Sequence, residues 1–178
     1  MPDGDANRHR ARGHGGLNDP LQKLAVSIRS ELAEVQRVLR RIEEAWKRAN
    51  CSSDDYYLDA VALNLHGFYG GLERIFERIA AVVDGARPSG EHGHQALLRQ
   101  MAEEMPGVRP AVISEATLQL LDPYRGFRHV ARNVYTFHLD PARMERLVAL
   151  AAACFDGVRL ELLAFADFLE HQATKNED

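Results

Sequence analysis

Between Pro123 and Leu139 the chain runs PYRGFRHVARNVYTFHL, a stretch with no Asp or Glu that carries Arg125, Arg128, Arg132, His129 and His138. Guanidinium groups present forked donors that suit phosphate, and a line of them suits a polyanion backbone better than one small metabolite. A histidine titrates near neutral pH, so beside an arginine it forms an acid/base pair fit for phosphoryl chemistry. At about 100° per residue, Arg125, His129, Arg132 and Thr136 share one stripe with Arg128 at its edge. Phe127, Val130, Ala131, Val134 and Phe137 take the opposite face. The charge pattern taken alone favours the plainer alternative, a solvated stripe paired with acids of neighbouring helices. On an ideal helix His138 falls on the apolar face and reads as a core histidine. Asp140-Pro141 must however end the helix within about two residues, which frees His138 to swing toward Arg132.

The elements that position this segment are helices. Residues 1–16 contain no large apolar residue except Met1, so residues 1–17 read as a disordered tail in which Arg8, Arg10 and Arg12 could touch an acidic partner. The domain is expected over 18–172, with a short tail over 173–178. Asn18 or Asp19 caps a helix opened by Pro20, whose apolar residues recur at steps of three and four from Leu21 to Trp46. Ser52 or Ser53 is expected to cap a second helix with the seam Leu58, Val61, Leu65, Phe68, Leu72, Ile75, Ile79 and Val82. Tyr56 and Tyr57 read as packing residues at its start. Gly67, Gly70 and Gly71 interrupt this helix at roughly 1 kcal/mol each, which suggests close approach of another backbone. A loop over 85–93, a short helix from His94 to Glu104, and a helical stretch from Pro110 to His138 with a kink or break at Asp122-Pro123 follow. The last helix starts at Pro141 and ends near His171. Nothing alternates with period two, so the fold is all-α, an up-and-down bundle of four long helices plus a short one.

Composition narrows the function. The chain has 178 residues, 46% hydrophobic, with a formal net charge of −4, enough for one core and against coating nucleic acid by bulk charge. No apolar run approaches the ~20 residues of a membrane span, and the first residues lack the apolar stretch of a secretory leader. Cys51 and Cys154 stand alone, without metal spacing or disulfide pattern, and fit a reducing, cytoplasmic compartment. Glu91, His92 and His94 bring two histidines together in a loop but no third strong ligand, so no metal or other cofactor is expected. His66, beside the glycines, either joins the basic site across the bundle or is a structural histidine.

The segment RNVYTFH (132–138), an arginine and a polar residue followed after four residues by a histidine, resembles the motif of HEPN ribonucleases. The wider YRGFRHVARNVYTFHLDPARMERL (124–147) and NLHGFYGGLERIFERIA (64–80) resemble the HepT-like branch of that superfamily, over roughly residues 20–170. The resemblance implies a HEPN bundle acting as a homodimer, a metal-independent endoribonuclease toxin paired with a nucleotidyltransferase antitoxin. Carried over, His138 would deprotonate the ribose 2′-hydroxyl, Arg132 would stabilise charge on the phosphoryl oxygens, and Asn133 would orient the histidine or the phosphate. Arg125, Arg128 and His129 would extend the RNA footprint, an assignment that rests on the helical stripe. Many HepT-type toxins have a tyrosine two residues after the histidine, to which the antitoxin attaches AMP. Here that position is Asp140, and Tyr135 is the nearby substitute. The competing expectation is a catalytically inactive HEPN module that binds RNA or a nucleotide, or serves as the partner subunit of a nucleotidyltransferase.

Overall fold

A computed structural model describes residues 19–52, 54–90, 92–133 and 140–175; for Arg132 and Asn133 it describes the backbone only. The expected N-terminal tail, Tyr135 and His138 lie outside the described residues. Five helices follow in order: α1 Pro20–Cys51, α2 Tyr56–Val82, α3 Gly93–Ala102, α4 Glu115–Asn133 and α5 Pro141–Lys175. Among the described residues there is no strand, only an isolated bridge between Met105 and Arg109. The all-α bundle of four long helices and a short one is the architecture that the periodicity predicts.

The seams pack as their spacing demands. On α1, Leu24, Ile28, Leu32, Val35, Leu39 and Ile42 are buried, and Asp19 caps the helix through its side chain, which accepts from the Leu21 amide at 2.6 Å. Helix α2 is the central element and packs against each of the other four. Its Phe68 ring sits 5.2 Å from Tyr124 of α4 and 6.3 Å from Phe155 of α5, so three helices meet on one aromatic cluster. Burying a side chain of this size contributes about 1.5–3 kcal/mol.

Four local expectations are corrected. Helix α2 is preceded by Asp55 without a side-chain cap; Asp54 instead accepts from the Tyr56 amide at 3.0 Å, one residue earlier in the chain. Tyr56 is 79% exposed rather than packed. Helix α4 continues through Pro123 without a break. Pro123 and Gln119, whose carbonyl loses its helical donor, are both exposed, so water can take that role. Leu121 and Tyr124, buried on either side, hold the turn in register. The glycines of α2 face side chains, not backbone: a Cβ at Gly71 would run into Val35 Cγ2, and one at Gly67 would lie 3.7 Å from Val38 Cγ1.

One ion pair locks the end of α2 to the loop before α4. The side chains of Asp84 and Arg109 are 0% exposed and pair at 2.6 Å. Arg109 donates from Nε and Nη2 to the two Asp84 oxygens, from Nη1 to the carbonyls of Glu103 and Pro110, and from Nη2 to that of Gln100. Gln100 Nε2 donates to Asp84 Oδ2. All five guanidinium N–H groups thus have acceptors, which a charge without water requires.

Candidate nucleic-acid interface

Helix α4 carries the basic segment as far as Asn133, and the core fixes its rotation. Leu121, Tyr124 and Phe127 are buried, with Val130 and Ala131 packed against the core edge. The Tyr124 hydroxyl donates to the Leu147 carbonyl of α5 at 2.7 Å. Burial holds the Tyr124 phenol well above the ordinary range, so this donor keeps its proton. Phe127, Val130 and Ala131 take the face read from the sequence, Val134 and Phe137 lie outside the described residues, and Arg125 and Arg128 lie beside that face rather than fully in solvent.

Arg125 is half-buried and donates to Asp122 Oδ1 at 2.7 Å, one turn back on the same helix. Arg128, with 19% of its side chain exposed, pairs through Nη2 with Glu73 Oε2 of α2 at 2.9 Å. His129 is exposed. The stripe therefore divides: Arg125 and Arg128 each hold a carboxylate of their own chain, and His129 faces outward. The backbone of Arg132 and Asn133 forms the last turn of α4.

Glu73 is the residue that the sequence did not flag. It lies in the interior of α2 with only 4% of its side chain exposed, and His94 Nδ1 of α3 stands 2.7 Å from its Oε1. Neither Glu73 Oε1 nor Arg128 Nε completes an aligned hydrogen bond among the described residues, although His94 Nδ1 lies within hydrogen-bond distance of Oε1. One buried carboxylate thus gathers a guanidinium from α4 and an imidazole from α3. Tyr69, one turn earlier, is buried beside them. Burial first, and the Glu73 carboxylate second, hold its phenol well above the ordinary range, against the nearby Arg125 and Arg128. No sequence signal marked Glu73, because its partners lie 21 and 55 positions away.

Other groups fall into place around α4. Arg143 of α5 lies over the Phe127 ring at 5.9 Å, a cation–π contact that adds a guanidinium from a helix the basic segment does not include. Asp140 caps α5: its side chain accepts from the Ala142 amide at 2.9 Å and its carbonyl from Arg143 and Met144. The residue at the position two after His138 is thus occupied with starting a helix. His66 is half-buried on α2. Of the Glu91-His92-x-His94 group, Glu91 lies outside the described residues, His92 is exposed and His94 turns to Glu73. Among the described residues no group of three or more His, Cys, Asp or Glu could hold a metal ion, and no helix is long and apolar enough to cross a membrane.

Neither the curated proteins nor the solved structures contain a match to the chain. A family model described as HepT-like protein matches residues 60–169, which takes in most of α2, all of α3 and α4, the 132–138 motif and most of α5. That family suggests a HEPN-type toxin–antitoxin module and is consistent with a HEPN ribonuclease. On its all-α bundle, its segments 64–80 and 124–147, and this match over more than half its length, the chain belongs to the HepT-like family of HEPN-type domains.

Proposed function

We propose that this protein is a metal-independent endoribonuclease, the toxin of a toxin–antitoxin pair whose antitoxin is a nucleotidyltransferase. The observation that carries the reading is the HepT-like match over residues 60–169, which encloses the arginine–histidine motif at 132–138. In this mechanism His138 takes the proton of a ribose 2′-hydroxyl. The 2′-oxygen attacks the adjacent phosphorus, the bond to the 5′-oxygen breaks, and the leaving oxygen takes up a proton. The products are a 2′,3′-cyclic phosphate and a 5′-hydroxyl. Arg132 stabilises the charge that grows on the non-bridging oxygens, work that a preorganised cation does well. Asn133 orients the histidine or the phosphate.

The enzyme works as a homodimer with two motifs facing one another, in the cytoplasm, where Cys51 and Cys154 stay as the free thiols the structure holds. Neutralisation by adenylylation would have to use Tyr135, since Asp140 occupies the position two after the histidine. The second reading, an inactive HEPN module, draws on two observations. Arg125 and Arg128 are each paired inside the protomer, and Asp140 serves as a helix cap.

The test is RNA cleavage by the purified protein in EDTA, with Arg132→Ala and His138→Ala alongside. The proposal expects cleavage by the wild type and a loss of at least about 100-fold in each variant. Wild-type cleavage by both variants would remove the site assignment. RNA or partner binding without strand scission, and no growth arrest on expression, would favour the inactive module.

A further inference from the structure

We propose that Glu73, His94 and Arg128 form a phosphodiester docking point of the RNA site, with buried Glu73 the positioning residue beneath two phosphate-contacting groups. The inference rests on the RNA-cleaving reading and extends it to residues of α2 and α3. A carboxylate placed inside a bundle loses its hydration and is tolerated only when paired. Glu73 is paired incompletely: Oε2 holds Arg128 Nη2 at 2.9 Å, Oε1 has only the unaligned His94 Nδ1 at 2.7 Å, and Arg128 Nε is buried without a hydrogen bond among the described residues. A half-satisfied polar network is a poor device for packing. The exposed parts of the cluster, 46% of the His94 side chain and 19% of that of Arg128, leave polar edges that a ligand can fill.

The geometry selects an anion. With Nδ1 turned to Glu73, the Nε2 of His94 lies on the far side of a ring that is 46% exposed. The carboxylate lies underneath. A group approaching from solvent therefore meets imidazole and guanidinium, not Glu73. Gly70 lies buried between two guanidinium groups: a Cβ there would lie 3.8 Å from Arg74 Nη1 and 3.9 Å from Arg128 Nε. Arg74 also reaches Glu31 at 2.8 Å, and Arg125 holds Asp122.

The surroundings favour a chain over a single phosphate. Gln95, the residue after His94, lines a cleft of about 250 Å³ between α3 and α4 together with Arg99, Gln119 and Asp122. Arg132 follows Arg128 after four residues, about 6 Å along the helix. A strand held at Arg128 and His94 would thus run toward the cleavage motif.

The experiment measures binding of an oligoribonucleotide carrying 2′-O-methyl groups throughout, which cannot be cleaved, in EDTA and at several salt concentrations. His94→Ala and Arg128→Gln are expected to weaken binding about fivefold or more, and Arg128→Gln to lower the slope of log K against log salt by about 0.7. Glu73→Gln is expected to weaken binding too, although it removes a negative charge, which bulk electrostatics would count as a gain. Gly70→Ala meets only ordinary contacts and removes a helix-interior glycine, so it should raise the melting temperature while weakening binding. Folded Glu73→Gln that binds as well as or better than wild type, or Gly70→Ala that binds like wild type, would overturn the docking point. Uncleaved ordinary RNA together with weakened binding in these variants counts against the nuclease and for the docking point. Cleavage together with binding indifferent to them counts the other way.

Discussion

Among the described residues two carboxylate–guanidinium pairs lie inside the bundle, and they are built differently. Asp84 and Arg109 have 0% of their side chains exposed and every guanidinium N–H placed on an acceptor. Glu73 and Arg128 leave Oε1 and Nε without hydrogen bonds and take in a half-exposed histidine. A desolvated ion pair is worth keeping for the fold only when its remaining donors and acceptors are filled. The first pair meets that condition and ties α2 to the loop before α4. The second does not, and it lies under the helix that ends in Arg132 and Asn133. The difference separates a latch from a group held ready for a ligand.

The largest expected effect strikes the latch. Arg109→Ala leaves Asp84 buried with only Gln100 as partner and should cost about 3–5 kcal/mol in urea denaturation. A cost near zero would break the comparison at its structural end. Next come the neighbouring glycines. Gly71→Ala drives a Cβ into Val35 and should cost about 1–3 kcal/mol, whereas Gly70→Ala should gain about 0.5–1 kcal/mol. Glu73→Gln, which keeps an acceptor for Arg128, should cost about 1–2 kcal/mol, well below Arg109→Ala. Equal costs would make both pairs latches.

The smallest effect appears only in alkali. Burial pushes the Cys154 thiol up to about 12, and the Tyr69 and Tyr124 phenols are raised as well. Each group is neutral when protonated, so above about pH 8.5, the value of a free thiol, the unfolded chain holds fewer protons than the folded one. The stability these groups add is fully present below that pH and falls as pH rises toward 12. Denaturation midpoints between pH 8 and pH 11 should decline, and at pH 9 iodoacetamide should modify exposed Cys51 but not buried Cys154.

The sequence made the long helices legible because their seams repeat every three or four residues over many turns, from Leu24 to Ile42 on α1 and Met144 to Leu169 on α5. Asp19 and Pro20 marked the first start for local reasons that need no tertiary knowledge. Pro123 misled, because the rule against proline is local while the hold of Leu121 and Tyr124 on the core is not. The arginine stripe was visible, but a helical wheel shows which residues share a face and not what lies opposite. The carboxylate of Glu73 under Arg128 reaches across from another helix. Asp84 and Arg109 were equally silent, two charged residues in loops with nothing in their spacing to announce a pair. His94 has a partner that its own loop does not suggest, Glu73 of α2.

The most direct measurement of the central claim is the chemistry of the ends left when wild-type protein cuts an RNA in EDTA, read by mass spectrometry. The account predicts 2′,3′-cyclic phosphate on one fragment and a 5′-hydroxyl on the other. Fragments ending in 3′-hydroxyl and 5′-phosphate, or an RNA left whole, would contradict it.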